Sequence, residues 1–499
     1  MAPSSIFLGE SEIENRYFRH FQQTAAMGMD GAWGWYLWNQ LMPQNSHHEP
    51  FIWHSIIAIG ALLKSHEVAY SAGVDPHAAA VPDIAKLHRD FAMVKYDKAI
   101  KLMQEVIFTE NTNHRQALLG CIFVVCFEML VGNRRLAVKH AQAGTMILKQ
   151  RLLLRKGESP LLSPSPITIE NEIVEAFRNL DIQIAFLKDR RSAAFNEETI
   201  NQHYTTIAAL PTSFTDLREA QIHLNLVVRR ICHFVFASSS VSESTGFAKK
   251  YDAEPPEGNS AIASMKTYST FCTSFKVTET TQTLQNNFAT EMANWMHVFA
   301  PLFKRVCGKS EAGDVPSTCF YNAAAMMQMQ AIATTILIGG VVITNEIEYD
   351  KFNPQFQELV DLATTVVELR QRRKKDNAWV GGFWIDIGIT PQLFVVVTRC
   401  RDPVIRRRAI KLLEGWYAEG SWDPRLIAQI GSFMMNMEEE MAMSIDPAWE
   451  TNGVIPERAR GVLTLISEHS GEGRELMQCV LRNSGVDGEP VWKEKYIEW

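Results

Sequence analysis

The chain has 499 residues, 46% of them hydrophobic, enough to bury more than one core. Lys and Arg total 49 against 56 Asp and Glu, so the net charge is −7 and a broad phosphate-binding surface is not expected; any basic patch has to be local. None of the eight cysteines stands in a C-x-x-C pair, which leaves no legible zinc site or disulfide framework and reads as buried, reduced thiols.

Residues 1–10 read as an N-terminal tail, acidic and without the apolar core of a signal peptide. Ser11 followed by Glu14 is a capping box, and the helix it opens carries Tyr17, Phe18 and Phe21 on one face. An aromatic cluster follows, Trp33, Trp35, Tyr36 and Trp38, which either lines a ligand pocket or fills the core between two helices. Pro50 starts an inner helix, 50–66, apolar around most of its circumference. His47, His48, His54 and His66 surround it without H-x-x-x-H or H-E-x-x-H spacing, so capping or core hydrogen bonding is expected rather than a metal. Residues 88–107 read as an amphipathic helix.

The stretch 117–130 (ALLGCIFVVCFEML) is apolar on almost every side, which predicts a core helix; at 14 residues, interrupted by Glu128, it is too short to span a bilayer. Gly132 and Asn133 supply a C-terminal cap. In the next helix Ala137, Ala141, Gly144 and Leu148 form a stripe that permits close approach, so an αα-hairpin is expected at the centre of an all-α protein. Lys156–Pro166 reads as a loop. In helix 168–187, Arg178 and Asp181 are three apart, close enough to pair with each other or to orient a ligand.

Composition shifts to Ser, Thr, Gly, Glu and Pro over 237–283, expected to be a loop or insertion. Helical periodicity resumes near Leu284 and continues through an apolar run, 323–344, read as a buried helix, and through 355–375. That last helix ends on Arg370, Arg372, Arg373, Lys374 and Lys375, either a nuclear localisation signal or cations complementing a helix C-terminus. Asp402-Pro403 and Asp423-Pro424 are matching helix starts, opening 403–417 and 424–441. Arg406, Arg407, Arg408 and Lys411 read as a solvated face, and no segment alternates long enough to argue for a sheet. The expected division is 11–236 as an N-terminal helical half, 284–445 as a C-terminal half and 446–499 as an extension packed on the bundle.

No P-loop, G-x-G-x-x-G, G-x-S-x-G or EF-hand spacing occurs, so catalytic residues are not assigned and neither cofactor nor metal is expected. The polar groups embedded in apolar helices, His54, Glu128, His140, Arg178 and Asp181, are the candidate ligand-binding residues together with Trp33 and Trp35.

The blocks LMPQNSHHEPFIWHSIIAIGALLKS, KYDKAIKLM, ALLGCIFVVCFEMLVGNRRLAVKHAQAGTMIL, LPTSFTDLREAQIHL and CRDPVIRRRAIKLLEGWYAEGSWDPRLIAQI, in this order, resemble the regulatory region of fungal binuclear-zinc-cluster transcription factors. The resemblance covers roughly residues 10–445. It implies an all-α, multi-helix bundle of the middle-homology type with little or no sheet, located in the nucleus or alternatively the cytoplasm. The family's six-cysteine cluster is not matched, so direct DNA binding is not expected.

Three functional readings follow. The chain regulates gene expression, in secondary metabolism for example, through a DNA-binding transcription factor, a homodimer or a bound small apolar metabolite. Alternatively it is a cofactor-free isomerase, cyclase or hydrolase acting on such a metabolite, or a piece of a conventional factor whose zinc cluster lies upstream. No membrane is expected as a partner.

Overall fold

The computed structural model describes residues 11–28, 36–74, 76–77, 80–107, 114–153, 163, 169–186, 193–201, 207–243, 266–267, 277–310, 315–376, 388–415, 422–446, 453–469, 474–481 and 491–498. These form a mostly all-α molecule. Its first helices are α1 (Glu12–Gly28), α2 (Met42–Ser46), α3 (Pro50–Ser71), α4 (Asp83–Ile107), α5 (His114–Val131) and α6 (Arg134–Leu153). They are followed by α7 (Asn171–Phe186), α8 (Ala193–Asn201), α9 (Leu217–Glu243), α10 (Glu279–Ser310) and α11 (Val315–Gly340). The last are α12 (Asn353–Asp376), α13 (Thr390–Arg399), α14 (Pro403–Glu414) and α15 (Pro424–Ile445).

The caps act as expected. Asp402 accepts from the Val404 and Ile405 amides at 2.9 Å each, and Asp423 accepts from Arg425 at 2.9 Å. Between α5 and α6, Gly132 takes φ +92°, and the Asn133 amide donates back to the Glu128 carbonyl at 2.8 Å, satisfying a carbonyl that the helix end leaves open. The chain therefore reverses within two residues. The small-residue stripe of α6 is buried, but Gly144 meets the ring of Phe177 on α7, so the stripe serves the next helix as well as the hairpin.

Two large apolar cores, with two small satellite clusters, lie among the described residues. The larger joins α1, α3, α5, α6 and the front of α7 with α11–α15; the smaller joins Ile182 at the end of α7 with α8–α11. The helix α11 contributes to both, which is why its sequence shows no clean face: Ile332 and Ile336 enter one core, Ala331 and Ile338 the other. Each fully buried Ile, Leu or Phe contributes about 1.5–3 kcal/mol. The helices His114–Val131 and Phe320–Gly340 are long and apolar enough to cross a membrane by composition; 72% of each is buried within the protein.

The chain also holds a sheet. Strands β2 (Gly461–His469), β3 (Arg474–Leu481) and β4 (Val491–Glu498) form an antiparallel meander, and β1 (Lys266–Thr267) pairs β2 at its outer edge. Alternation does not announce it because Gly461, Val462 and Leu463 are consecutively buried, as are Met477 to Leu481, while β4 is exposed from Trp492 to Tyr496. Most of the Ser- and Gly-rich stretch 237–283 lies outside the described residues.

Candidate functional site

Among the described residues, three groups of polar side chains bear on the candidate residues or were unexpected. On α5, Glu128 is 6% exposed and accepts the Tyr96 hydroxyl of α4 at 2.6 Å; the Tyr96 ring stacks on Phe127 at 3.8 Å. Burial, then the hydrogen bond to Glu128, raises the Tyr96 phenol well above its ordinary value, so it stays a donor. His140 on α6 is drawn toward the same carboxylate: burial lowers its pKa and Glu128 partly offsets this. Of Glu128 and His140, singled out separately in sequence, Glu128 is joined to Tyr96 by a hydrogen bond, and half-buried His140 on the next helix feels its charge.

The second group lines the contact of α7 with α9. Arg178 binds Glu175 one turn earlier, and Asn225 donates to Glu175 at 3.4 Å. Asp181 binds Arg229 and lies 3.6 Å from Nε2 of His233, whose Nδ1 is 2.8 Å from Asn196. Arg178 thus has Glu175 as an ion-pair partner and Asp181 has Arg229. Arg230 reaches Glu291 on α10 at 2.5 Å. These pairs tie α7, α8, α9 and α10 together through groups that are costly to leave unmatched.

The third group was missed in sequence. Glu438 on α15, fully buried, binds Arg406 at 2.5 Å and Arg401 at 2.9 Å and accepts the Gly461 amide at 2.7 Å. Arg401 also reaches Glu346 at 3.3 Å, Arg399 binds Glu346 at 2.8 Å, and Arg460 forks onto both Asp350 oxygens at 2.6 and 2.7 Å. Burial pushes Glu438 up, but Arg401 and Arg406 outweigh it and the net shift is downward. The expected solvated face on α14 is corrected accordingly: Arg406 is 1% exposed, and only Arg407, Arg408 and Lys411 approach solvent. The signal was in the spacing, since Arg406 shares the apolar positions Ala409, Ile410 and Leu413, and Glu438 continues Ile427, Ile430 and Met434.

The remaining candidates are scattered. His54 is buried in α3, on a helix separate from all three groups. Trp33 and Trp35 lie outside the described residues. The basic run ends α12; Arg372 is exposed there, and the side chains of Arg370, Arg373, Lys374 and Lys375 are outside the description. Among the described residues no three His, Cys, Asp or Glu side chains gather as a metal site. Burial raises the thiols of Cys121, Cys126, Cys232 and Cys400, Cys121 to about 11 and Cys400 to about 12, which suits packing better than nucleophilic chemistry.

No family model matches the chain, and no solved structure matches it. One curated protein is similar over a short stretch: the aspercryptin biosynthesis cluster-specific transcription regulator of Emericella nidulans, 32% identical over 112 residues. The stretch covers 22% of this chain and 18% of that protein, so this chain is similar to a fungal transcription regulator over about a fifth of either length.

Proposed function

We propose that the protein regulates gene expression, acting through a partner protein or a bound small molecule rather than by reading DNA with the residues described. The observation that carries this is the 112-residue similarity to a cluster-specific transcription regulator. The charge balance and the scattered cysteines agree with it, since neither supplies a phosphate-binding surface nor a base-reading zinc module. The genes controlled are those of a biosynthetic cluster, and the site of action is the nucleus, with the basic end of α12 as the import signal.

Transcript profiling of a strain lacking the gene tests the reading. A coordinated change across one contiguous gene cluster is the expected outcome. Unchanged transcripts, together with turnover of a metabolite by the purified protein, would replace regulation with catalysis. For import, a fluorescent fusion in which Arg370, Arg372, Arg373, Lys374 and Lys375 are all changed to Ala is expected to leave the nucleus; unaltered nuclear signal would remove that role from the run.

A further inference from the structure

The carboxylates buried among the described residues face cations, with one exception. Glu14 has Lys95, Glu175 has Arg178, Asp181 has Arg229, Glu346 has Arg399, and Glu438 has Arg401 and Arg406. Glu128 differs: its Oε1 accepts the neutral hydroxyl of Tyr96 at 2.6 Å, and among the described residues no lysine, arginine or histidine pairs with it. A carboxylate taken out of water needs a matching charge, and one phenol does not supply it.

The surroundings of Glu128 sharpen the need. It stands in the last turn of α5, which ends at Val131, and the carbonyl end of a helix carries partial negative charge that opposes an anion and favours a cation. Beside the carboxylate, the Tyr96 ring lies on Phe127 with 11° between their planes; Phe127 is 1% exposed and Tyr96 half-buried, so Tyr96 forms the solvent side of the stack. The face of such a ring attracts a cation as well. Half-buried His140 does not fill the role, because burial holds it below its ordinary value of 6.5 and leaves it neutral at pH 7. A metal ion fits poorly, since among the described residues no three ligating side chains gather. An organic ammonium needs one carboxylate and a ring face, and the apolar turn Phe127, Met129 and Leu130 suits an apolar body behind the charge.

We propose that Glu128 and Tyr96 form the cation-recognising end of a small-molecule site whose ligand is an organic ammonium ion, its charge on the Glu128 carboxylate and its flank against the Tyr96 ring. The ligand class deepens the small-molecule branch of the regulatory reading and rests on that reading for its role. Binding is measured on the protein alone and gene control in transcripts, so each fails separately.

Isothermal titration calorimetry of the full chain with phenethylammonium, and with its uncharged counterpart phenethyl alcohol, tests the site. The ammonium is expected to bind with a dissociation constant below about 1 mM, and the alcohol at least about tenfold more weakly. Glu128→Gln should bring the ammonium down to the level of the alcohol. Hydrogen exchange on the unsubstituted chain locates the ligand without relying on a variant, and slowed exchange is expected at the end of α5 and the start of α6. Absence of ammonium binding at concentrations up to about 10 mM, equal affinity for the alcohol, or protection confined to other helices would each overturn the site.

Discussion

Glu438 is the residue on which the most depends. Its carboxylate, fully buried, receives two guanidinium groups and a backbone amide, so Glu438→Gln removes the carboxylate partner of Arg406 and leaves Arg401 with Glu346 alone, at a cost of about 3–5 kcal/mol. Because its folded pKa lies below the ordinary value of 4.5, its contribution is complete above that value and disappears as pH falls through the folded pKa. Urea denaturation below pH 5 should show acid destabilisation in the parent and less of it in Glu438→Gln. Tyr96→Phe is milder: removing the hydroxyl leaves Glu128 short of a donor and should cost about 1–3 kcal/mol by the same measurement. His20 titrates in a different window. Burial lowers it to about 4 against the pull of Glu67, which Lys64 already holds at 2.7 Å. An unfolded His binds a proton near 6.5, so this stability is full above that pH and is lost between 6.5 and about 4. His20→Gln should flatten the melting temperature across that interval; an unchanged slope would assign it to other groups.

At the scale of elements, glycines decide how closely helices approach. A Cβ on Gly60 of α3 would strike the backbone carbonyl of Tyr17 on α1, which cannot move without the helix, whereas one on Gly120 of α5 would strike the end of the flexible Met103 side chain. Gly60→Ala should therefore destabilise by about 2–3 kcal/mol and Gly120→Ala by less than about 1 kcal/mol in chemical denaturation. Equal effects would mean that α1 yields as readily as a methionine. The capping aspartates ahead of α14 and α15 act locally and could be recognised from Asp-Pro alone. The strands could not, because β2 begins and β3 ends with consecutively buried residues while β4 is exposed from Trp492 to Tyr496, so the buried-exposed alternation that marks a strand is missing from those stretches.

For the molecule as a whole, the sequence determined what depends on near neighbours: helical periodicity, the Asp-Pro starts and the reversal at Gly132. These signals arise from backbone geometry and side-chain spacing within one or two turns. Tertiary structure alone decided which helices share a core, that α11 serves two of them, that Glu128 takes the hydroxyl of Tyr96, and that Arg178 and Asp181 have Glu175 and Arg229 as partners. Glu438 and Arg406 stood on apolar faces in the sequence, but their meaning came from each other, 32 residues apart. A buried charge acquires its partner only when the chain closes over it, since the cost of desolvation and the contact that offsets it both belong to the packed interior.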